Sequence, residues 1–237
     1  MTFVDEQRYL GNFILDSLSQ EEYNEIHPDL KWVKLLQGEI LVEARTPITH
    51  VYFPVTAVVS WIDSTLEGES VEIGITGFEG IVGATLLFEE NAPPWAVEVQ
   101  LTGAALQMDA QLFANALQQF PGLRQKVGKF AYQKMLQLTR SGLCNRFHSV
   151  EQRLCRWLLA AQDRTNTQEL LLTREILATM IGSSRSVVSI ATGTLQSAGL
   201  IRAVRGKITI LNREEMEETA CECYHVVKQQ FDHYLQS

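Results

Sequence analysis

The chain has 237 residues, enough for two compact domains with their own cores. Its 46% hydrophobic and 20% charged content is ordinary for a soluble globular protein, and no run approaches the roughly 18 apolar residues of a membrane span. The net charge of −8 argues against a nucleic-acid partner for the chain as a whole, but not for any one segment of it.

The N-terminal MTFVDEQRYLGNFILDSL has neither a basic leader nor a long apolar stretch. It therefore does not read as a signal peptide, and a cytoplasmic protein with four reduced cysteines is expected. Tyr9, Leu10, Phe13, Ile14 and Leu18 predict a short amphipathic helix. From Trp32 to about Met108 the pattern changes to seven short strands: 33–36, 39–42, 50–53, 57–61, 70–73, 97–100 and 105–108. Glycines and Pro47 punctuate them, which predicts an antiparallel barrel or sandwich. Trp61, Phe88 and Trp95 are read as its core in preference to a pocket lining. Pro121 opens a long helix with a stripe of Leu123, Val127, Phe130, Ala131, Met135 and Leu138 at nearly coiled-coil spacing. Val150, Leu154 and Leu158 begin the next helix.

Residues 172–211, LTREILATMIGSSRSVVSIATGTLQSAGLIRAVRGKITIL, carry the strongest functional signal. Thr173 is a candidate N-cap for a helix bearing Ile176, Leu177, Met180 and Ile181. Gly182 supplies a bend, and Ser183 or Ser184 caps a second helix. That helix is expected to bury Val187, Val188, Ala191, Leu195 and Ala198 and to present Arg185, Ser186, Ser189 and Ile190. The alternation on either side of Arg205-Gly206 predicts a hairpin wing. A helix-turn-helix with a wing points to DNA, and the charge agrees. Residues 1–110 hold 18 acidic and 4 basic side chains, whereas residues 173–211 hold 5 basic and 1 acidic. Charges beyond about 8 Å are screened at physiological salt, so the local field is what a phosphate meets. The acidic half is expected to face away from DNA. The tail from Arg213 carries net −4 and a helical stripe of Met216, Ala220, Tyr224, Val227 and Phe231, which predicts packing on the domain.

This order resembles the Crp/Fnr superfamily of dimeric bacterial transcription regulators. The resemblance rests on LTREILATMIGSSRSVV and LIRAVRGKITIL, and less specifically on LLQGEILVEA, VYFP and GFEGIVGATLLFEE. It implies an α+β protein in three parts. Residues 1–110 form an antiparallel β-roll resembling a cyclic-nucleotide-binding domain, residues 111–148 a dimerisation helix, and residues 149–237 a winged helix-turn-helix. It also implies a homodimer paired along the long helix on double-stranded operator DNA, with RNA polymerase as a further candidate partner.

The family's ligand chemistry does not carry over. Where cyclic-AMP-binding members place a ribose-binding Glu, this chain has Ile81 within Gly80-Ile81-Val82-Gly83. Where the Arg-Ser pair holds the phosphate, it has Ala92 and Pro93. The helix Thr-Ser pair falls on Leu138 and Thr139. Each strong polar group left unpaired costs about 1–3 kcal/mol, so cyclic nucleotides are not expected to bind. Cys144, Cys155, Cys221 and Cys223 are scattered. A C-x-C inside a helix would point its thiols about 200° apart, and the five histidines lack ligand spacing. No metal or cofactor is expected, and no effector is assigned. Without a phosphate loop, nucleophile elbow or metal-ligand cluster, an enzyme is not expected either.

For DNA readout, Arg185 matches the family's arginine at the start of the recognition helix. Ser186 stands where a Glu reads cytosine, and Ile190 where a second Arg reads guanine. Ile190 either meets a thymine methyl or packs under the wing. Thr173, Arg174, Arg205 and Lys207 are candidate phosphate contacts, with Ser184 beside them. A transcription regulator is the favoured reading. The alternative is a sensory or partner-binding protein with weak DNA affinity that acts through its β-roll.

Overall fold

The structure, a computed structural model, describes residues 10–165 and 167–236; of the first predicted helix, Tyr9 lies outside them. All seven expected strands form, and two sheets build the N-terminal β-roll. Strands β1 (Lys31–Leu35), β3 (His50–Pro54) and β7 (Gly103–Asp109) make one, in the order β1-β7-β3. Strands β2 (Ile40–Val42), β4 (Val58–Ser64), β5 (Ser70–Thr76) and β6 (Ala96–Leu101) make the other, in the order β2-β6-β4-β5. Every pairing is antiparallel. The short helices α1 (Phe13–Asp16) and α2 (Gln20–Ile26) precede the roll, each capped by a side chain, Asn12 and Ser19.

Helix α3 (Ala110–Gln119), absent from the sequence reading, is started by Asp109, whose carboxylate accepts from the amides of Gln111 and Leu112. Pro121 then opens α4 (Pro121–Phe147), about 40 Å long at 1.5 Å per residue. Leu123, Val127 and Phe130 are fully buried in one cluster with Ile14, Phe53 and Phe113. A Cβ on Gly80 would lie 2.0 Å from the Phe130 ring, so only glycine admits this helix so close to the roll.

Helix α5 (Val150–Gln162) starts with a capping box between Ser149 and Gln152. It leads to β8 (Glu169–Leu171), α6 (Arg174–Ile181), α7 (Arg185–Ser197), and the wing strands β9 (Ile201–Val204) and β10 (Lys207–Ile210). Strand β8 adds a third strand to the wing, in the order β8-β10-β9. The expected single tail helix is two, α8 (Arg213–Thr219) and α9 (Glu222–Leu235). The tail packs as expected, but α9 also reaches the roll: Tyr234 donates to the Glu79 carbonyl at 3.0 Å and meets Phe13 edge-on at 4.9 Å.

The two domains share a core. Strand β4 is buried on both faces from Val58 to Ile62, Ser60 included. Val59 and Trp61 face the interior of the roll, while Val58 and Ile62 join the cluster of Trp157, Leu177, Met180 and Val188. Between them the Ser60 hydroxyl points the same way, toward the Met180 sulfur at 3.3 Å. No helix among the described residues is long and apolar enough to cross a membrane.

Candidate DNA-binding interface

Thr173 caps α6 by accepting from the Ile176 amide, and Leu177, Met180 and Ile181 face inward. Gly182 ends the helix at φ +60, and a Cβ there would lie 2.8 Å from Val71 of the roll. Ser184 caps α7, accepting from the Val187 amide at 3.4 Å, and its hydroxyl meets that of Ser186 at 2.9 Å. The inner face of α7 is Val188, Ala191, Thr192 and Leu195, an i, i+3, i+4, i+7 set. Val187 and Ala198, expected inside, are exposed. Thr192 is inside instead, because its hydroxyl donates to the Val188 carbonyl at 2.7 Å and so needs no outside partner.

The outer face carries Arg185, Ser186 and Ile190, all exposed; Ser189 is half-buried, its hydroxyl donating to the Arg185 carbonyl. Ile190 is 68% exposed and does not pack under the wing. Arg185 is held by Glu175 at 3.1 Å. The Glu175 carboxyl lies below its ordinary range, through a backbone N–H first, then the Thr173 hydroxyl and Arg185. At the wing turn Arg205 and Gly206 both have positive φ, +50 and +76, the geometry of a type I′ hairpin turn. Arg174 and Arg205 are exposed, whereas Lys207 pairs with Glu169 at 2.7 Å. Two of the expected DNA-facing cations therefore start from ion pairs with carboxylates.

Residues 152–219 match the Crp-like helix-turn-helix domain. Over those residues the chain is similar to that family. Over most of its length the chain shares its fold with solved Crp/Fnr regulators. It is similar to a Crp/Fnr-family regulator from Eubacterium rectale, at 17% identity and TM-score 0.67, over 87% of this chain and 96% of that one. FixK2 from Bradyrhizobium japonicum aligns at 15% identity and TM-score 0.69, over 81% and 98%. The c-di-GMP-responsive regulator CLP from Xanthomonas campestris aligns at 19% and 0.65, over 82% and 100%. No curated protein matches the chain by sequence.

The Crp-like domain does not stand clear of the acidic half. A cleft of about 750 Å³ runs between the β4–β5 turn and the start of α7, lined by Glu69 and Ser70 on one side and Glu175, Ser184 and Arg185 on the other. Glu69 of the acidic half thus lies beside the start of α7. The shared core at β4 and β5 pulls the hairpin tip against the helix-turn-helix.

A second cavity, about 420 Å³, lies between the roll and α4. Trp61 and Trp95 stack in its wall at 5.3 Å and belong to the roll's core as well, whereas Phe88, expected in the core, is 62% exposed and only lines the cavity. Ala92 and Pro93 line it where the resemblance places an Arg-Ser pair, and Leu138 closes the helix side. Ile81 is fully buried in the neighbouring core cluster. The cation at this cavity is Lys134, which donates to the Ile75 carbonyl and to Gln137 Oε1. Burial lowers its pKa to about 7.

The expected dimer stripe divides in two. Leu123, Val127 and Phe130 are consumed by the chain's own core and offer a second copy nothing. Ala131 and Leu138 line the cavity, and Met135, 61% exposed, stands at its rim. The outward apolar side chains of α4 are Tyr132, Met135, Leu143 and Phe147. They lie on the side opposite Phe130, because a 27-residue helix carries apolar residues on two faces and one periodic stripe captures only one of them.

The cysteines, scattered in sequence, are not scattered in space. Cys144, Cys221, Cys223 and His148 bring their ligand atoms within 4.8 Å of one another. Cys221 is the N-cap of α9 with extended backbone, not a residue inside the helix. The 200° separation expected of a helical C-x-C therefore does not apply. A cap position before Glu222 was the available signal. Cys155 stands apart in the α5 core, and burial pushes its thiol up to about 12.

Proposed function

We propose that the protein is a Crp/Fnr-type transcription regulator that binds operator DNA as a homodimer through α7. The observation that carries this is the outer face of α7. A Crp-like helix-turn-helix presents Arg185, Ser186 and Ile190 to solvent, with Arg174 and Arg205 exposed to either side. Side chains at the start of such a helix reach base edges in the major groove, while wing cations reach phosphate. Ile190, free of the wing, is placed to meet a thymine methyl.

Dimerisation is supported by the outward stripe of Tyr132, Met135, Leu143 and Phe147, which leaves large apolar side chains in water in the single chain. An effector other than a cyclic nucleotide is supported by the aromatic cavity, where Ala92 and Pro93 offer no charge to a phosphate. RNA polymerase is a candidate downstream partner, needed only if the protein acts as an activator. The second reading, a β-roll partner protein with weak DNA affinity, draws on the Arg185–Glu175 and Lys207–Glu169 pairs, which must loosen before phosphate can compete.

Selection of bound fragments from random DNA tests the proposal. The expected product is a two-fold symmetric motif with half-sites about one helical turn, roughly 34 Å, apart. Recovery of no motif above background favours the second reading.

A further inference from the structure

The long helix hands over to the DNA-binding domain at a cluster of metal-ligating side chains. Cys144 lies in the last turn of α4, and His148 is the residue that caps it. Cys221 caps α9, and Cys223 follows in its first turn. The three thiols are buried, and the His148 side chain is 12% exposed. Cys144 Sγ lies 3.4 Å from Cys221 Sγ, and Cys223 Sγ lies 3.7 Å from His148 Nδ1.

A lone buried cysteine packs as a small apolar side chain, as Cys155 does. That does not account for three thiols converging with an imidazole nitrogen turned into the group. The histidine's other nitrogen is also taken. Nε2 meets the Glu222 carboxylate at 3.1 Å, which places the ring proton there and leaves the Nδ1 lone pair facing the sulfurs. A carboxylate behind the imidazole is the usual way a metal-ligating histidine is held.

Distance decides between ion and cluster. Zinc bonds of about 2.3 Å to sulfur and about 2.0 Å to nitrogen put the donors of a tetrahedron roughly 3.5–3.8 Å apart. The four atoms here lie within 4.8 Å of one another, with the closest pair at 3.4 Å, so only small shifts bring them to that spacing. An iron–sulfur cluster carries its ligands on two or more irons, so some of them must lie farther apart than the 4.8 Å that bounds these four atoms. Three thiolates, one neutral imidazole and a divalent ion leave one net negative charge. The Arg156 guanidinium, within charge range of Cys144 and Cys221, offsets it.

We propose that Cys144, His148, Cys221 and Cys223 bind one zinc ion in a tetrahedral Cys₃His site that fastens the C-terminal helix to the α4–α5 junction. Binding releases the thiol protons, so loading strengthens as pH rises. Glu222 is a positioning residue for His148.

The test uses the full-length reduced protein, stripped by a chelator and then titrated with Zn²⁺ or Co²⁺. One zinc per chain is expected, and Co²⁺ should give the intense sulfur charge-transfer and visible bands of a tetrahedral thiolate site. Cys223→Ser and His148→Ala should lose stoichiometric binding, and Glu222→Ala should weaken it by roughly 10–100-fold, while Cys155→Ala retains it. Where a variant fails to fold by circular dichroism, the cobalt spectrum of the unaltered protein decides. A weak octahedral cobalt spectrum, less than half an ion per chain, iron with sulfide as the bound species, or binding undiminished by Cys223→Ser overturns the proposal.

Discussion

Trp157 of α5 donates its indole N–H to the Glu72 carboxylate of β5 at 2.8 Å, joining the DNA-binding domain to the β-roll in a buried site. The Ser60 hydroxyl donates to the same carboxylate, and burial raises the Glu72 pKa despite both bonds. Ser60 also faces Met180 of the helix-turn-helix, so the site touches both domains.

Trp157→Phe keeps most of the packing and removes one donor from a buried acceptor. It should lower stability by about 1–3 kcal/mol in urea unfolding. Glu72→Gln, which can still accept from both donors, should cost less than Glu72→Ala. If Trp157→Phe unfolds at the same urea concentration as the unaltered protein, the tie contributes nothing.

Lys134 gives a pH signature. Burial holds its folded pKa at about 7, against an ordinary value of 10.5. Between these values the unfolded chain keeps a proton that the folded chain has released, so this group makes stability rise with pH across that window. Below about pH 7 the lysine is charged in both states and its contribution is flat. Lys134→Met should therefore flatten the rise in stability between pH 7 and pH 9. The slope is the readout, since the substitution also strips the Ile75 carbonyl and Gln137 of their partner. An unchanged slope removes Lys134 as the source.

The two faces of α4 predict opposite outcomes. Tyr132→Glu with Phe147→Glu places charge on the outward stripe and should give a folded monomer by sedimentation. Phe130→Glu puts an unpaired carboxylate into the core beside Gly80, and should unfold the chain instead of dissociating it. A Tyr132, Phe147 double variant that remains dimeric would place the seam elsewhere.

The helix-turn-helix was legible because its signals are local. Thr173, Gly182 and Ser184 act through backbone within four residues of themselves, and the I′ turn at Arg205-Gly206 is as short-ranged. The strands were legible through alternation and turn residues. What escaped depends on partners distant in sequence. Strand β8 exists only by pairing with β10, and the inner face of α4 is chosen by Phe53 and Phe113. Val58 and Ile62 sit in a strand of the roll, yet α5 and α6 are what cover them. The cysteine cluster needed α9 to return to the end of α4, a meeting that no spacing rule foretells.

Release of Arg185 from its ion pair should be visible in DNA binding. Glu175→Gln removes the carboxylate that holds the guanidinium at 3.1 Å and takes one negative charge from the cleft. Affinity for DNA should rise, most clearly at low salt, where surface electrostatics are least screened. Equal or weaker binding by Glu175→Gln would show that the pair orients Arg185 and does not compete with DNA.

The central claim, that α7 reads DNA sequence, is tested most directly by competition between the selected operator and random DNA at several salt concentrations. Arg185→Ala should lose preference for the operator by about 1–3 kcal/mol if its hydrogen bonding to guanine is bidentate. Arg205→Ala and Lys207→Ala should weaken both DNAs alike and shallow the salt dependence, by about one unit of slope for each phosphate no longer neutralised. The effect at Lys207 should be the smaller, because Glu169 already occupies it. If Arg185→Ala weakens operator and random DNA equally, and Ile190→Ala does the same, α7 is a phosphate clamp and the claim is wrong.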